Sequence, residues 1–492
     1  MSANGSNRGF VIASVMASMA MIAMEATIVS TAMPQIAGQL GDLNLYSWVF
    51  SSFLLAQTTM TVVFGKLSDI YGRKPILMIG IAIFLIGSIL AGFATSMPAM
   101  IIFRLLQGFG AGAVQPVAMT VVADLYPARE RGKVQGYLAS VWAISAVVGP
   151  IAGSLIVHVL SWSWIFWINV PVGILAAVGF MVFLKEKVEK RVESIDFLGA
   201  GLFAVTIGAL MIGLTEIDGG SEPRILGAFG IFLMAFVALL WQESRTPHPM
   251  VSLPLWRKRP IAAANAATVL SGMSVMGLTT FLPIYVQLVL QRSAVEAGLA
   301  LTMLLVGWPI AATLASRTFH RFGIRRLMIV GSILAPAGAS LFLFLNANSS
   351  PLIAALGSLI MGFGMGLMSI TALILIQEIV EWKERGSATA SNVFSRNLGS
   401  TLGAAALGAV LNYKLKHSSG SGTVTPDQLR ALLNGVDIPQ VEGASARAVL
   451  ETSLHSTFLA MFVVTAVIVI ACSSLPSISI GGEARVPGVP GH

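Results

Sequence analysis

The sequence has few charged residues and a single cysteine. Charged residues make up 11% of its 492 residues, whereas a soluble protein has about 25%. A chain so poor in charge cannot cover a water-exposed surface, which excludes an array of soluble domains. Cys472 has no partner within the chain, so a disulfide scaffold is excluded as well.

Signatures of catalysis and of nucleotide binding are missing too. The sequence contains no phosphate-binding P-loop, which argues against an ATP-driven pump. Its six histidines lack the spacing of metal ligands. The sequence therefore predicts a protein that is not an enzyme, and it indicates no cofactor and no metal.

What the sequence does contain is long apolar runs. Fourteen are long enough to cross a bilayer, for which a helix needs about 20 residues. Lipid cannot satisfy open backbone groups, so each run must be a helix or a barrel strand. Barrel strands alternate in polarity over about 10 residues, whereas these runs are apolar throughout. The sequence thus predicts an all-α membrane protein with fourteen transmembrane helices. The predicted spans are Phe10–Met33, Ser47–Phe64, Ile76–Phe93, Ala99–Ala123, Val134–Val157, Ile165–Leu184, Phe197–Leu214, Ile225–Trp241, Ile261–Val289, Gly298–Ala315, Leu327–Leu345, Pro351–Ile379, Ser391–Leu411 and Phe458–Leu475.

Lysine and arginine are distributed unevenly between the two sides of these spans. Of the 30 basic residues, 22 lie in one set of alternate segments and 6 in the opposite set. Basic residues favour the cytoplasmic side, so we expect both termini in the cytoplasm. Topology then explains the net charge of +8, and nucleic acid is not an expected partner. The sequence predicts a multi-pass protein of the bacterial plasma (inner) membrane, surrounded by the lipid bilayer.

Two short basic segments recur along the chain. Asp124–Gly132 shares its acid, its basic-Glu-Arg-Gly end and its spacing with Glu378–Gly386. Gly65–Lys74 and Ser316–Arg325 match more weakly, at nearly the same offset. We therefore expect two six-helix halves with two helices inserted between them. The predicted divisions are an N-terminal bundle (1–191), an inserted helix pair (192–245), a C-terminal bundle (246–475) with an outer loop (412–457), and a cytoplasmic tail (476–492).

Glu25 is a carboxylate well inside an apolar span. Desolvation disfavours the charged form of an acid, so such a group could bind a proton near neutral pH. Its charged form would attract a cationic substrate and its protonated form would release it, so proton and substrate would compete for one site. The alternative is a structural hydrogen bond to a neighbouring helix. An acid that faces lipid, or lies in a sealed contact without a water path, would not support this exchange.

Arg104 is a base inside the fourth span, where it needs a carboxylate, helix carbonyls or water as a partner. Alternatively its side chain extends to the outer surface, because it lies only a few residues into the span. Gln107 follows on the same helix face and could line a cavity.

Small residues mark two predicted helix contacts. Gly108 and Gly112 form one small-xxx-small pair, and Gly149 and Gly153 form another. Pro150 removes a backbone donor and favours a kink. These features predict a packed interface that slides or bends, with static packing as the alternative.

Several motifs, in order along nearly the whole chain, resemble those of the major facilitator superfamily, and within it the fourteen-span drug–proton antiporters. Ser154 stands where that family usually has glycine, and Glu25 where it usually has aspartate. The residues that carry the resemblance are Glu25–Pro34, Gly65–Lys74, Arg104–Gly112, Gly149–Gly153, Trp164–Gly173, Leu282–Gln287 and Arg396–Gly403.

The resemblance implies functions for some of these residues. It implies a part in proton coupling for Arg104 and a cytoplasmic charge cluster of Asp69, Arg73 and Asp124 that favours one end state of a rocking motion. Asp69 could also interact with the positive end of a helix. The alternative is a topogenic turn held by Gly65 and Gly72.

A substrate cavity is predicted from pliable and aromatic side chains. Met21 belongs to a methionine cluster on the first helix, and methionine suits promiscuous binding surfaces. Phe281, Tyr285 and Gln287 could stack on and hydrogen-bond an amphipathic aromatic ligand, and Gln107 is a further candidate to line the cavity. Alternatively the methionines face lipid, and Tyr285 and Gln287 are anchors at the outer interface.

The function that the sequence favours is proton-coupled export of an amphipathic, cationic compound by alternating access. One alternative is export of an endogenous metabolite or a secreted antibiotic by the same mechanism. Another is a membrane receptor or assembly scaffold on a transporter fold. The expected partners are a small-molecule substrate and protons, and the sequence leaves open whether a periplasmic adaptor protein binds the outer face.

Overall fold

Helices account for the regular structure of this chain. The computed structural model describes residues 7–40, 46–186, 196–216, 222–246, 253–292, 294–418 and 440–475, and no strand occurs among them. This confirms the all-α prediction, because a helix satisfies its own backbone groups inside lipid. The predicted tail after residue 475 lies outside the described residues, as do residues 419–439 of the predicted outer loop.

The first half of the chain forms seven helices, of which one is a short turn before α7. Their bounds are α1 Arg8–Leu40, α2 Tyr46–Tyr71, α3 Arg73–Gly92, α4 Met97–Leu125, α5 Ala128–Val159, α6 Ser163–Trp167 and α7 Asn169–Phe183. The break at Ile168 divides the predicted span Ile165–Leu184 into α6 and α7.

Two long helices follow and precede the second half. They are α8 Phe197–Glu216 and α9 Glu222–Arg245. The second half consists of α10 Leu253–Arg257, α11 Arg259–Ile284, a π-helix Tyr285–Val289, α12 Ala294–Phe322, α13 Ile324–Ser340, a 3-10 turn Leu341–Phe344, α14 Pro351–Ile379, a 3-10 turn Trp382–Glu384, α15 Arg385–Ser418 and α16 Gln440–Ser473.

Twelve of the membrane spans are supported by length and composition in the described chain. The two other predicted spans lie in α5 and α15, of 32 and 34 residues, which are not among the twelve. Fourteen spans therefore stay a prediction. Both flanking helices extend into the predicted outer loop 412–457, since α15 continues to Ser418 and α16 begins at Gln440. Its position outside the membrane stays a prediction.

The repeated glycines make the same turn in both halves. Gly72 joins α2 to α3 with φ 96°, and Gly323 joins α12 to α13 with φ 79°. Only glycine adopts such angles without strain. The weaker of the two sequence repeats thus corresponds to one sharp helix–helix turn used twice.

Buried apolar residues form separate clusters in the two halves. One cluster includes Val15, Phe84 and Phe180 of the first half, and another includes Leu282, Phe342 and Phe458 of the second. The inserted helices pack where the halves meet, because α8 contacts both α2 and α15. The Phe203 ring lies 5.5 Å from the Phe394 ring at this contact. The domain boundaries themselves stay a prediction.

Glycine permits close packing between α13 and α14. A Cβ added at Gly338 would lie 2.5 Å from the Met361 nitrogen and 2.7 Å from the Gly357 oxygen. Neither backbone atom can move without shifting a helix, so the two helices approach this closely only with glycine at 338.

Gly338→Ala is expected to destabilise the protein by about 1–3 kcal/mol, the usual range for overpacking. Gly230→Ala is the matched control, because a Cβ there meets nothing within 4 Å. Thermal unfolding of both variants in detergent measures the difference. Equal midpoints would show that the α13–α14 contact is looser than described.

Candidate transport site

The centre of the first half contains an ion pair. Glu25 of α1 is 0% exposed and Arg104 of α4 is 1% exposed. Arg104 Nη1 donates to Glu25 Oε1, and Arg104 Nε donates to the Val49 oxygen of α2 at 3.2 Å. The guanidinium also lies 4.4 Å from the centre of the Phe53 ring. Arg104 therefore does not extend to the outer surface, since a carboxylate, a carbonyl and an aromatic ring surround it.

Further polar side chains complete a network around the pair. Asn169 of α7 donates to Glu25 Oε2 at 2.5 Å and to Ser88 Oγ at 3.0 Å. Gln107 accepts from Arg104 at 2.7 Å and donates to Ser88 Oγ at 3.1 Å. Ser88 in turn donates to the Phe166 oxygen at 2.8 Å. This network joins the first four helices with α6 and α7, and each of the five side chains has at least one hydrogen-bond partner in it.

The network is sealed in the described conformation. Glu25 faces Arg104 and Asn169 rather than lipid, and neither of its oxygens is exposed. A proton can reach the acid only if the helices around it move apart. The sequence analysis identified Glu25, Arg104 and Gln107. It assigned no function to Asn169, although this residue lies in the Trp164–Gly173 motif, and Ser88 gave no sequence signal.

The predicted glycine contacts are helix contacts in the structure. Gly112 of α4 packs on α2, where an added Cβ would lie 2.7 Å from the Gln57 oxygen. A Cβ at Gly149 of α5 would lie 2.9 Å from the Thr27 Cβ of α1. Gly108 is also buried against α2, and Gly153 is buried in α5. The backbone of α5 is helical through position 150, but the Pro150 side chain lies outside the described ones.

Charged residues join the two halves at one end of the bundle. We call this end the charged face and define it by Asp69, Arg73, Asp124, Arg131, Glu378 and Arg385. The positive-inside rule predicts that it is cytoplasmic.

Asp69 binds the start of α15 at the charged face. Its carboxylate accepts from the Gly386 nitrogen at 2.9 Å and from the Ser387 nitrogen and hydroxyl at 2.7 Å each. Arg73 is 2.8 Å from Asp69 and 3.3 Å from Asp124. A Cβ at Gly386 would lie 2.5 Å from Asp69 Oδ1, so glycine is required there. A carboxylate of one half thus occupies the positive helix end of the other.

Each half supplies an arginine that forms an ion pair with an acid of the other half. Arg131 of the first half is 2.8 Å from Glu378 of the second. Arg385 of the second half is 3.6 Å from Asp124 of the first. Both arginines also donate to the backbone carbonyl eight residues earlier in their own half, at 2.8 and 3.1 Å. The stronger sequence repeat, Asp124–Gly132 with Glu378–Gly386, therefore forms a two-fold-like contact.

Glu186 is a contributor that the sequence analysis missed. Its carboxylate accepts from the backbone nitrogens of Arg73 at 2.8 Å and Lys74 at 2.9 Å. These nitrogens begin α3, so Glu186 stabilises the helix start that holds the Arg73 guanidinium.

The five predicted substrate residues are not brought together. Met21 is buried in the core of the first half, and Gln107 belongs to the network around Glu25. Phe281 and Tyr285 lie in the core of the second half, whereas Gln287 is exposed. Neither of two surface grooves, between α1 and α5 and between α2 and the inserted helices, is lined by any of the five. A shared cavity is thus not formed in this conformation, and their part in binding stays a prediction.

The fold and this network define a class of protein: a multi-pass helical membrane protein whose two halves close against each other through charged side chains. Comparison with known families identifies it further. Residues 15–404 match the model of the Major Facilitator Superfamily, and the chain belongs to that superfamily. Membership of this superfamily indicates a membrane transporter rather than an enzyme.

Sequence relatives are consistent with this assignment. The chain is 33% identical over 438 residues to the multidrug transporter protein MdtP of Bacillus subtilis, which covers 88% of this chain and 79% of that protein. It is 35% identical over 405 residues to multidrug resistance protein 3 of the same organism, covering 82% and 79%.

Solved structures share the fold at low sequence identity. The human organic anion transporter MFSD10 is similar with a TM-score of 0.63 and 16% identity, over 93% of this chain and 99% of that one. The proton:xylose symporter XylE is similar with a TM-score of 0.57 and 15% identity, over 93% and 94%. These similarities concern the fold alone.

Asp69→Asn is expected to loosen the charged face, because it weakens charge-assisted hydrogen bonds that are each worth about 1.5–3 kcal/mol. The reporter is a cysteine introduced by Ala123→Cys, a position 2% exposed beside this face, in a Cys472→Ser background. Its modification by a water-soluble maleimide should be about tenfold faster in the Asp69→Asn protein.

Glu222→Gln serves as the control for this measurement, because Glu222 is exposed at the start of α9. It should leave the modification rate unchanged. An equal rate in the Asp69→Asn protein would contradict a closing action of Asp69.

Proposed function

We propose that this protein is a proton-coupled secondary transporter that exports amphipathic compounds by alternating access. It would lie in the plasma membrane with both termini in the cytoplasm. The observation that carries the proposal is the buried ion pair of Glu25 and Arg104 at the centre of the first half. In the described conformation this contact is sealed and would not support exchange, so the proposal requires a second conformation in which the helices around Glu25 separate. Export is supported by the two Bacillus relatives, which are named for multidrug transport and resistance.

A buried ion pair is suited to proton coupling. Breaking such a pair by removing one charge is strongly unfavourable, because the remaining charge is left without compensation. Proton uptake by Glu25 would remove its attraction for Arg104 Nη1. Arg104 would keep Gln107 Oε1 and the Val49 oxygen as partners. Protonation would thus loosen α1 from α4 without leaving the guanidinium bare.

Proton access requires motion of the halves. Glu25 is sealed while the charged face is closed, so the proton must enter or leave in another state of the cycle. We call the contact between the two halves the seam. The reciprocal pairs Arg131–Glu378 and Arg385–Asp124 lie on this seam, which would open during transport. Glycines 112 and 149 keep α4 close to α2 and α5 close to α1, where helices would slide or bend. Coupling then means that the protonation state of Glu25 shifts the equilibrium between two conformations, one closed at the charged face and the other closed at the opposite end.

The charge of the substrate does not follow from Glu25. The sequence favoured a cationic compound because a free carboxylate would attract one. In the described conformation Arg104 and Asn169 already satisfy both carboxylate oxygens. The proposal of proton-coupled export therefore does not depend on a cationic substrate.

Glu25→Gln is expected to abolish efflux that depends on a pH gradient, because the amide cannot exchange a proton. The measurement is a panel of fluorescent amphipathic compounds in vesicles with an imposed gradient. Glu222→Gln is again the control, and it should transport at the rate of the unmodified protein. Normal gradient-dependent efflux in Glu25→Gln would exclude coupling through this acid.

A double-variant cycle separates coupling from folding. Glu25→Gln and Arg104→Gln alone should each destabilise the protein, by about 3–5 kcal/mol for a broken buried pair. The combined variant places two neutral amides in contact and should recover much of that stability, while coupled efflux stays absent. Recovery of coupled efflux in the combined variant would contradict the proposal.

A further inference from the structure

A second arginine, Arg396, lies in the predicted membrane span of α15, and among the described residues its side chain has no polar partner. Arg396 is eleven residues from the start of α15, which places it about 16 Å from the charged face at 1.5 Å per residue. Its side chain is partly buried. Among the described residues, no carboxylate lies within ion-pair distance of Arg396 and no side-chain hydrogen bond of its guanidinium occurs.

The neighbours of Arg396 on α15 show which way this face of the helix points. Asn392, one turn earlier, donates to Asn265 and Thr268 of α11 at 3.2 and 2.9 Å. Val393, three residues earlier, packs into the core of the first half. Arg396 lies on the same helix face as these two positions. Its side chain is thus placed along the seam between the two halves rather than toward lipid.

The neighbourhood of Arg396 has an excess of donors. The amide nitrogen of Asn397 is also buried without a hydrogen-bond partner. By contrast, the network of Asn265, Ser391 and Asn392 one turn below is connected, with Asn265 donating to Ser391 at 3.0 Å. Two consecutive residues therefore present N–H groups without acceptors. What this part of α15 lacks is an acceptor with negative charge.

Two buried acids of the described helices, Glu25 and Asp69, are engaged elsewhere. Glu25 is held by Arg104 and Asn169, and Asp69 is held by Arg73 and the start of α15. The pair in the first half is neutral overall, and no described acid lies within ion-pair distance of Arg396, which leaves this positive charge uncompensated in the predicted span of α15. An arginine in such surroundings is usually functional, and its planar fork binds carboxylate, sulfonate or phosphate through two parallel hydrogen bonds.

We propose that Arg396 is a substrate-binding residue at the seam between the halves, and that it takes the acidic group of an amphipathic exported compound. The inference rests on the proposed export function and specifies its substrate class. Proton coupling would lie in the first half at Glu25 and Arg104, while recognition of the anion would lie in the second half on α15.

Two dyes with the same xanthene ring system but opposite charge test this assignment. Fluorescein is anionic at neutral pH and rhodamine 123 is cationic. Binding is measured by fluorescence anisotropy with the full-length protein in nanodiscs of phosphatidylcholine. We expect fluorescein to bind more tightly than rhodamine 123. Arg396→Gln should weaken fluorescein binding about tenfold or more, the loss of one charge-assisted contact, while rhodamine 123 changes by less than about twofold.

Two further variants control for charge and folding. Arg396→Lys keeps the charge but loses the fork, and it should bind fluorescein with intermediate affinity. Arg317→Gln removes an exposed arginine from α12 and should change neither dye. Equal weakening of both dyes by Arg396→Gln, or no fluorescein binding by the unmodified protein, would overturn the assignment. Loss of fluorescein binding when phosphatidylglycerol is added would assign Arg396 to an acidic lipid instead, and would also overturn it.

Transport of the same dyes under a pH gradient separates this inference from the export function. One outcome is gradient-driven efflux of rhodamine 123 that is unchanged by Arg396→Gln, together with no binding of fluorescein. That outcome supports the export function and contradicts the anion site. Arg396-dependent fluorescein binding without gradient-driven transport of either dye supports the site and contradicts the proposed coupling.

Discussion

A charge inside a bilayer needs a partner, and this requirement organises the first half of the protein. Arg104 and Glu25 satisfy each other across α1 and α4, and the remaining polar atoms are matched by Gln107, Asn169 and a serine of α3. Because each of these side chains is hydrogen-bonded to another helix, the network fixes the positions of the helices that contribute to it. A change in the protonation of Glu25 would therefore change the packing of these helices.

The same requirement is met differently where the halves join. At the charged face each arginine of the repeat reaches the acid of the other half, as Arg131 does with Glu378. Asp69 adds a contact that its counterpart in the repeat cannot provide, since position 320 is a histidine. The closure is thus two-fold in its arginine pairs and one-sided in its helix-end contact. Such a seam is held by contacts that separate together, which suits a rocking motion between two states.

The two halves also differ in the surroundings of the arginines in their predicted spans, Arg104 and Arg396. Arg104 is neutralised inside the protein, whereas Arg396 meets no acid among the described residues. In the proposed mechanism this asymmetry would let one half respond to protons and the other to a ligand. Coupling between them would then need no direct contact, because both would act on the same opening and closing of the seam.

The helical class, the apolar runs, the repeat and the candidate residues Glu25 and Arg104 could all be predicted from the sequence alone. Apolar runs in lipid allow few structures, and an isolated charge is conspicuous within them. The hydrogen-bond partners Asn169 and Ser88 could not be predicted, because neither residue is unusual in sequence. They approach each other only when α3 and α7 pack together. In the described conformation Met21, Phe281 and Tyr285 do not line one cavity, for a related reason. Periodicity places a side chain on a helix face, but only tertiary packing decides whether that face meets a core, a seam or lipid.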